Sequence, residues 1–557
     1  MKEAVRQSVE AGLNVRCTFR SPDSYVLPLR ELVEEGGLSE ELINDRVRDI
    51  LRVKFLVGLF DEPYQTDLEG ADKEVEKKEN LEVALQSSKE SLVLLKNERN
   101  TLPLDISSIK KIAVCGPNAD ESGYALTHYG PLAVDVVTVL QGIKDKVKGK
   151  AEVLYAKGCE LVDDNWPESE LIDYPLTETE KDEIDKAVAD VKQADVAVVV
   201  LGGGQRTCGE NKSRSSLDLP GRQLDLLKAV YATGKPVVLV LVTGKPFAIA
   251  WEKEHIPAIL VQWYAGEQEG SSIADILFGK TNPSGHLTVS FPKSSGHLPA
   301  YYNHLPTDRG FYHKPGSYEQ PGRDYVFSSP GPLWAFGHGL TYTTFEYADL
   351  QIEQTTDSVK VLVTVKNTGT RAGKAVPQLY VRDVFSSIST PVRQLKAFQK
   401  VELKPDEEVQ VPLHFAIEDL AFTNENGQTA VEPGNFEIQM GDASDHILLK
   451  DIIGIGKTSA DGHQTEQRQA GKEIGKGTII SIKGMVRDVQ ATPADRVEIY
   501  STAQQRVVGV TDKSGRYTIE VPEDDILVFR KSGYLNEEVN VAGKSSILIT
   551  IRNGTDL

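Results

Sequence analysis

Val196-Ala-Val-Val-Val-Leu201, then Gly202-Gly-Gly204, then Arg206-Thr-Cys-Gly-Glu210-Asn-Lys-Ser-Arg214 and Leu219-Pro220-Gly-Arg-Gln223, is the stretch that decides how this chain reads. An unbroken apolar run predicts a strand buried on both faces, as in a parallel sheet. Residues 222–231 predict a helix, opened by Pro220 and stopped by Gly234. Glu210 therefore falls on a loop beyond the carboxyl end of a parallel strand, where open α/β sheets bind their ligands. A carboxylate there, flanked by Arg206, Lys212 and Arg214, suits acid/base work on a polar substrate. The alternative reading is a solvated loop with ordinary charges.

The same alternation extends outward. Apolar runs at 112–115, 237–242 and 259–263 read as further strands. Amphipathic helices separate them, such as 181–192 with Thr177 or Thr179 as its cap. Residues 81–298 thus predict a largely parallel sheet covered by helices on both faces. Residues 299–344, rich in Tyr, Pro, Gly and His, read as a wrapping segment. Its Arg309, Tyr312 and Arg323 either reach a substrate or partner or serve packing between domains. From Phe345 the period becomes two, as in Val359-Lys-Val-Leu-Val-Thr-Val365, and 345–456 predicts an all-β domain. Residues 457–477 are polar and read as a linker. A second small β domain follows at 478–557, with a turn at Asp512-Lys-Ser-Gly515.

Composition narrows the function classes. The chain has 557 residues, enough for several domains, and a formal charge of −20, which argues against nucleic acid or an anionic membrane as partner. No apolar run has the length of a membrane span. Cys17, Cys115, Cys159 and Cys208 form no Cys-x-x-Cys pair, although Cys159 and Cys208 could join in an oxidising compartment. The glycines at 202–204 lack a properly spaced P-loop lysine, and no glycine-rich turn opens directly into a helix. No His-Glu-x-x-His occurs, so neither a metal nor a cofactor is expected. His286, His297, His304 and His313 read as loop or packing residues.

An ordered series of blocks gives a more specific reading. It comprises Leu94-Leu-Lys-Asn97 with Leu102-Pro-Leu104, Val114-Cys-Gly-Pro-Asn-Ala119, Trp263-Tyr-Ala-Gly-Glu267, Leu277-Phe-Gly279 with Asn282-Pro-Ser-Gly-His-Leu287, and Phe336-Gly-His-Gly-Leu-Thr-Tyr-Thr-Thr-Phe345. In this order the blocks resemble glycoside hydrolase family 3, the β-glucosidase and β-xylosidase group, from about residue 4 to 455. The resemblance implies a general acid/base glutamate four residues before an arginine and ten before a proline, which selects Glu210, Arg214 and Pro220. Arg206 and Arg214, which flank Glu210, read as substrate-binding residues. The family's nucleophile is an aspartate in a Ser-Asp-Trp-like block, and no such block occurs in this sequence. Residues 1–64 resemble only the last part of the family's (β/α)8 barrel, so 1–80 reads as a barrel remnant and linker. Residues 345–456 resemble the family's fibronectin type III-like β-sandwich. Residues 478–557 resemble carboxypeptidase-regulatory-like β-sandwich modules, which implies a binding or stability role.

The implied function is retaining, exo-acting hydrolysis of terminal β-D-glycosyl residues, with an oligosaccharide or β-glycoside as substrate and a periplasmic or secreted location. These residues alone are expected to be inactive for want of the nucleophile. The alternative is a non-catalytic carbohydrate-binding or assembly protein. A homodimer stays open.

Overall fold

The computed structural model describes residues 1–64, 67–75, 77–124, 134–306, 328, 331–456, 479–488, 492–501, 506–522, 525–531, 537–541 and 546–551. It contains two compact units, Met1–Val83 and Ala84–Leu557.

The first unit is helical. It holds α1 (Lys2–Glu10), α2 (Asp23–Glu34), α3 (Glu40–Leu56) and α4 (Leu68–Val75). Val5 and Val9 of α1 pack with Leu32 and Leu38 in a small core. Ser39 caps α3 by accepting from the Leu42 amide at 3.2 Å. None of the side chains of α3 is buried, and Val47, Leu51 and Phe55 are exposed. No strand occurs among the described residues of this unit, and Ala11-Gly-Leu-Asn14 is turn and coil. A strand forms only where a neighbouring backbone satisfies its N–H and C=O groups.

The second unit begins with a six-stranded sheet. In chain order its elements are the end, from Ala84, of α5 (Lys78–Ser91), then β1 (Val93–Asn97), β2 (Lys111–Cys115), α6 (Val139–Val147), β3 (Glu152–Ala156), α7 (Glu178–Gln193), β4 (Val196–Gly202), α8 (Gln223–Tyr231), β5 (Val237–Thr243), α9 (Ala250–His255), β6 (Ala258–Trp263) and α10 (Glu269–Leu277). The strand order is β1-β6-β5-β4-β2-β3. All pairings are parallel except β1 with β6. Every residue of β4 and β5 is buried, as an unbroken apolar run requires between two helical layers. Ala197, Val199 and Leu201 point into a core with α7 and α8, whereas Val196, Val198 and Val200 meet α6 and α10 on the other face. Thr177 is the cap of α7: its hydroxyl accepts from the Glu180 amide at 3.2 Å and Glu180 returns a bond to the Thr177 amide at 2.7 Å.

This order sets where a ligand can sit. The path from β2 runs through α6 to the outer strand β3, while the path from β4 runs through α8 on the opposite face toward β5. Adjacent strands whose connections diverge in this way leave a crevice at their carboxyl ends. Both ends are glycines for a steric reason. A Cβ on Gly202 (φ +148) would lie 1.9 Å from the Val242 carbonyl oxygen, and one on Gly116 (φ +110) 2.0 Å from that of Val200.

The described part of the wrapping segment returns to this sheet, pairing Trp334 with Phe291 and Leu340 with Leu94. Arg309, Tyr312, His313 and Arg323 lie outside the described residues. The β region that follows contains a three-stranded sheet (Phe345–Gln354, Ser358–Asn367, Glu408–Ala416) and a four-stranded sheet (Gln378–Asp383, Gln394–Phe398, Gly434–Ala443, His446–Ile455) around one core. Glu90 of α5 ties this region to the α/β layer, accepting from Lys374, from Lys400 at 2.6 Å and from Ser284 at 2.9 Å. The 457–477 stretch also lies outside the described residues. Beyond it, three strands (Ile479–Asp488, Arg516–Pro522, Ser546–Ile551) and four more (Glu498–Ser501, Arg506–Val510, Ile526–Arg530, Glu537–Asn540) enclose a separate core. The Asp512 carboxylate closes the turn there, accepting from the Ser514 and Arg516 amides at 2.8 and 2.9 Å.

Candidate active site

The loop that follows β4 lies at the crevice between β2 and β4. The Asn118 side-chain amide, on the loop after β2, donates to the Gly203 carbonyl at 2.9 Å. The Gly203 amide donates to Val242 at 3.0 Å, so the loop leaves the sheet clamped on both sides. Gln223, fully buried at the start of α8, fixes the exit. Its oxygen accepts from the Gly202 amide at 2.8 Å, and its nitrogen donates to the carbonyls of Leu161 and Gly202, each at 3.0 Å. The Thr207 hydroxyl accepts from the Gly204 amide at 3.1 Å, and the Cys208 amide donates to the Gly204 carbonyl at 2.9 Å. These bonds make a tight turn, after which Glu210 is exposed.

The cations around Glu210 do different things. Arg214 is an internal anchor. Its Nε donates to the Glu170 carboxylate and its Nη2 to the Asp218 carbonyl at 3.0 Å, with side chains only 3% (Arg214) and 7% (Glu170) exposed. Arg214 Nη1 is buried without a hydrogen-bond partner among the described residues. Arg206 is exposed, its guanidinium 5.4 Å from the centre of the Trp166 ring. Lys212 is exposed and its amide closes a turn onto Gly209 at 3.2 Å.

Glu170 is the hub that sequence reading missed. Besides Arg214 it accepts from the Trp166 indole at 3.1 Å and from the Ser215 hydroxyl at 3.3 Å. Burial alone would raise its pKa, but these bonds, Arg214 first, outweigh it and hold the carboxyl below the usual carboxylate range. Trp166 and Glu170 sit after β3, whose polar edge residues conceal it as a strand, so their loop could not be placed beside Glu210's from the sequence.

Three further groups complete the inner wall. Lys245, after β5, is partly buried. Burial lowers its pKa, and it faces Cys208, Arg214 and Glu170. The Tyr264 hydroxyl and the Cys208 thiol both lie against Gly203, at 3.3 and 2.9 Å from where a Cβ would stand. All four cysteines are free thiols, so Cys159 and Cys208 are not joined; Cys159 packs in the core under α7 and α8 instead. Among the described residues no group of three or more metal-binding side chains converges, and no helix is long and apolar enough to cross a membrane.

Glu269, at the start of α10, is buried with Oε2 unpartnered among the described residues. Burial pushes its pKa up to about 8, only partly offset by the Ala265 amide. The folded protein thus holds this carboxyl neutral while the unfolded chain ionises it above about pH 4.3. Its contribution is full below that pH and is lost as pH rises toward 8, by roughly 3–5 kcal/mol in all. Glu269→Gln is therefore expected to flatten the decline in urea-unfolding stability between about pH 4.3 and about pH 8, without a gain near pH 4. Parallel pH profiles for parent and variant would show that the carboxyl is already ionised in the fold.

The Glu210 carboxyl, on a loop that leaves the sheet at a crevice and also carries the buried Arg214 and the exposed Arg206 over half-buried Trp166, stands where open α/β sheets meet their ligands. Comparison with known proteins assigns the domains. Residues 92–342 match the model of the glycosyl hydrolase family 3 C-terminal domain, and residues 375–444 that of the fibronectin type III-like domain. The chain is 39% identical over 459 residues to a periplasmic β-glucosidase of Salmonella typhimurium, covering 79% of this chain and 59% of that protein. It is 36% identical to a β-xylosidase of Formosa agariphila, over 76% of this chain and 57% of the relative. A solved β-glucosidase from Erythrobacter marinus superposes with a TM-score of 0.68 at 34% identity, covering 82% of this chain and 60% of that one. A Listeria innocua β-glucosidase variant in complex with laminaribiose gives a TM-score of 0.68 at 33% identity, with the same coverage. The chain spans a little under three fifths of the two curated relatives it matches here. It carries the C-terminal domain of glycosyl hydrolase family 3 followed by a fibronectin type III-like domain.

Proposed function

We propose that this chain supplies the acid/base half of a retaining, exo-acting β-glucosidase-type hydrolase, with Glu210 as the general acid/base. The observation that carries this is the place of Glu210 on the loop after β4, beside the crevice between β2 and β4, with Arg214 four residues on. In the first step Glu210 gives its proton to the glycosidic oxygen as the aglycone departs. In the second it removes a proton from the water that attacks the glycosyl-enzyme. Arg214, Glu170 and Gln223 hold the loop, and Arg206 on Trp166 lines the approach to the sugar.

The retaining scheme needs a second carboxyl as nucleophile, and the block that carries it in the family is not among these residues. The 557-residue chain is therefore expected not to hydrolyse nitrophenyl β-glucoside or β-xyloside. Fused behind the part of the Salmonella enzyme that it does not match, it is expected to do so. Turnover by the chain alone that Glu210→Gln abolishes would defeat this division of labour. We place the protein in the periplasm or outside the cell, in line with the description of its Salmonella relative.

A further inference from the structure

The fibronectin type III-like region carries a second feature. Between Gln378–Asp383 and Gln394–Phe398, the 384–392 loop stands over an open crevice of about 340 Å³. That volume falls in the range of small-ligand sites. Phe385 projects at this loop with 86% of its surface exposed, although the loop beneath it is firmly built. The Ser386 hydroxyl donates to the Ile388 carbonyl at 2.7 Å and meets the Thr390 hydroxyl at 3.0 Å. The Ser387 amide donates to Glu432 at 2.9 Å. The Val384 amide donates to Asn435 at 3.1 Å and the Val392 amide to His304 at 3.0 Å. The Phe385 amide is held by the Asp383 carboxylate at 3.1 Å.

Leaving a phenyl ring in water on a rigid loop gains nothing for the fold, since the ring's burial is forgone. A ring carried on a fixed backbone at the edge of a polar crevice is instead presented to cover an apolar face of a ligand, with no loop ordering left for binding to bring about. The other lining groups decide which ligand. Arg382 and Asp383 bring one positive and one negative charge, and Ser389 and Thr390 bring hydroxyls. The lining side chains thus offer donors and acceptors with one charge of each sign, and Glu432, bonded to the Ser387 amide, adds a second carboxylate near Asp383, which suits a hydroxyl-rich ligand without negative charge. The chain's charge of −20 further disfavours a polyanion. A pyranose meets both requirements, with C–H groups on one face and hydroxyls around its rim.

We propose that this crevice is a binding subsite for neutral saccharide chains, with Phe385 as the platform on which one sugar ring stacks and Arg382 and Asp383 as its polar partners. The subsite lies outside the Glu210 loop and would hold a polymeric or oligomeric glycan independently of turnover.

Calorimetric titration of the 557-residue chain with linear β-linked gluco- and xylo-oligosaccharides tests this. The expected dissociation constant is on the order of 10⁻⁴–10⁻³ M for the preferred chain. Phe385→Ala, an exposed position where truncation leaves the fold intact, is expected to weaken binding at least tenfold, and Phe385→Tyr to retain it. Glu210→Gln is expected to bind as the parent does, which separates this subsite from the proposed catalytic one. Equal binding by parent and Phe385→Ala, or no binding by the parent at the solubility limit of either series, would overturn the proposal. Binding lost in Glu210→Gln and kept in Phe385→Ala would overturn it too, by assigning the sugar to the other site.

Discussion

Glu210→Ala, measured in the fusion with the unmatched part of the Salmonella enzyme, is expected to slow hydrolysis of disaccharides and alkyl glycosides by on the order of 10²-fold or more. Nitrophenyl glycosides should lose far less in their first step. The difference follows from the leaving groups. An alkoxide or sugar oxygen must be protonated as it departs, whereas nitrophenolate leaves well without a proton. A residue that merely shapes the loop would reduce both substrate classes alike. The comparison of the two kcat/KM losses therefore reads the chemical role of Glu210 rather than its structural one.

The second large effect concerns what holds that loop. Glu170→Gln is expected to destabilise the second unit by roughly 3 kcal/mol, because it leaves the Arg214 guanidinium buried without its counter-charge. With side chains 3% and 7% exposed, this pair is scarcely weakened by solvent screening. Glu170→Gln combined with Arg214→Met should recover much of the loss, since replacing both partners removes the buried charge altogether. Urea midpoints with unchanged m-values would measure it. The pair also sets an acid limb. The folded-state pKa of Glu170 is depressed, so its contribution is present above the unfolded carboxyl pKa and is lost as pH falls through the folded value. A single variant as stable as the parent would mean that the ion pair contributes little and that Gln223 and the backbone bonds hold the loop by themselves.

The inner strands could be read from the sequence because their surroundings are uniform. β4 and β5 are buried along their whole length, so nothing but apolar residues is admissible there. The edge strand β3 has an exposed Glu152 and Tyr155 and shows no such run, and β1, paired antiparallel with β6, was visible only as a block of the family resemblance. Between Thr177 and Thr179 the sequence allowed either cap. Glu180 decides for Thr177, because only that pair has the spacing of a reciprocal capping box.

At the site, the place of Glu210 on the loop after β4 was legible from the strand before it, while its selection as acid/base came from the family resemblance. The role of Arg214 was not. A charged loop residue gives no local sign that its partner lies 44 positions upstream, and an arginine read as binding substrate is also bonded to Glu170 within the fold. Cys208 likewise finds its neighbours, Tyr264 and Lys245, on the loops after β6 and β5. Such contacts depend on strand order, which no local pattern records.

The most direct test of Glu210 as acid/base is to treat the Glu210→Ala fusion with sodium azide while it turns over a nitrophenyl β-glycoside. Azide needs no base to attack the anomeric carbon of the glycosyl-enzyme and displace its carboxylate. The predicted result is faster turnover with accumulation of the β-glycosyl azide, the product of retention. Turnover unchanged by azide, with only free sugar formed, would contradict the assignment of Glu210.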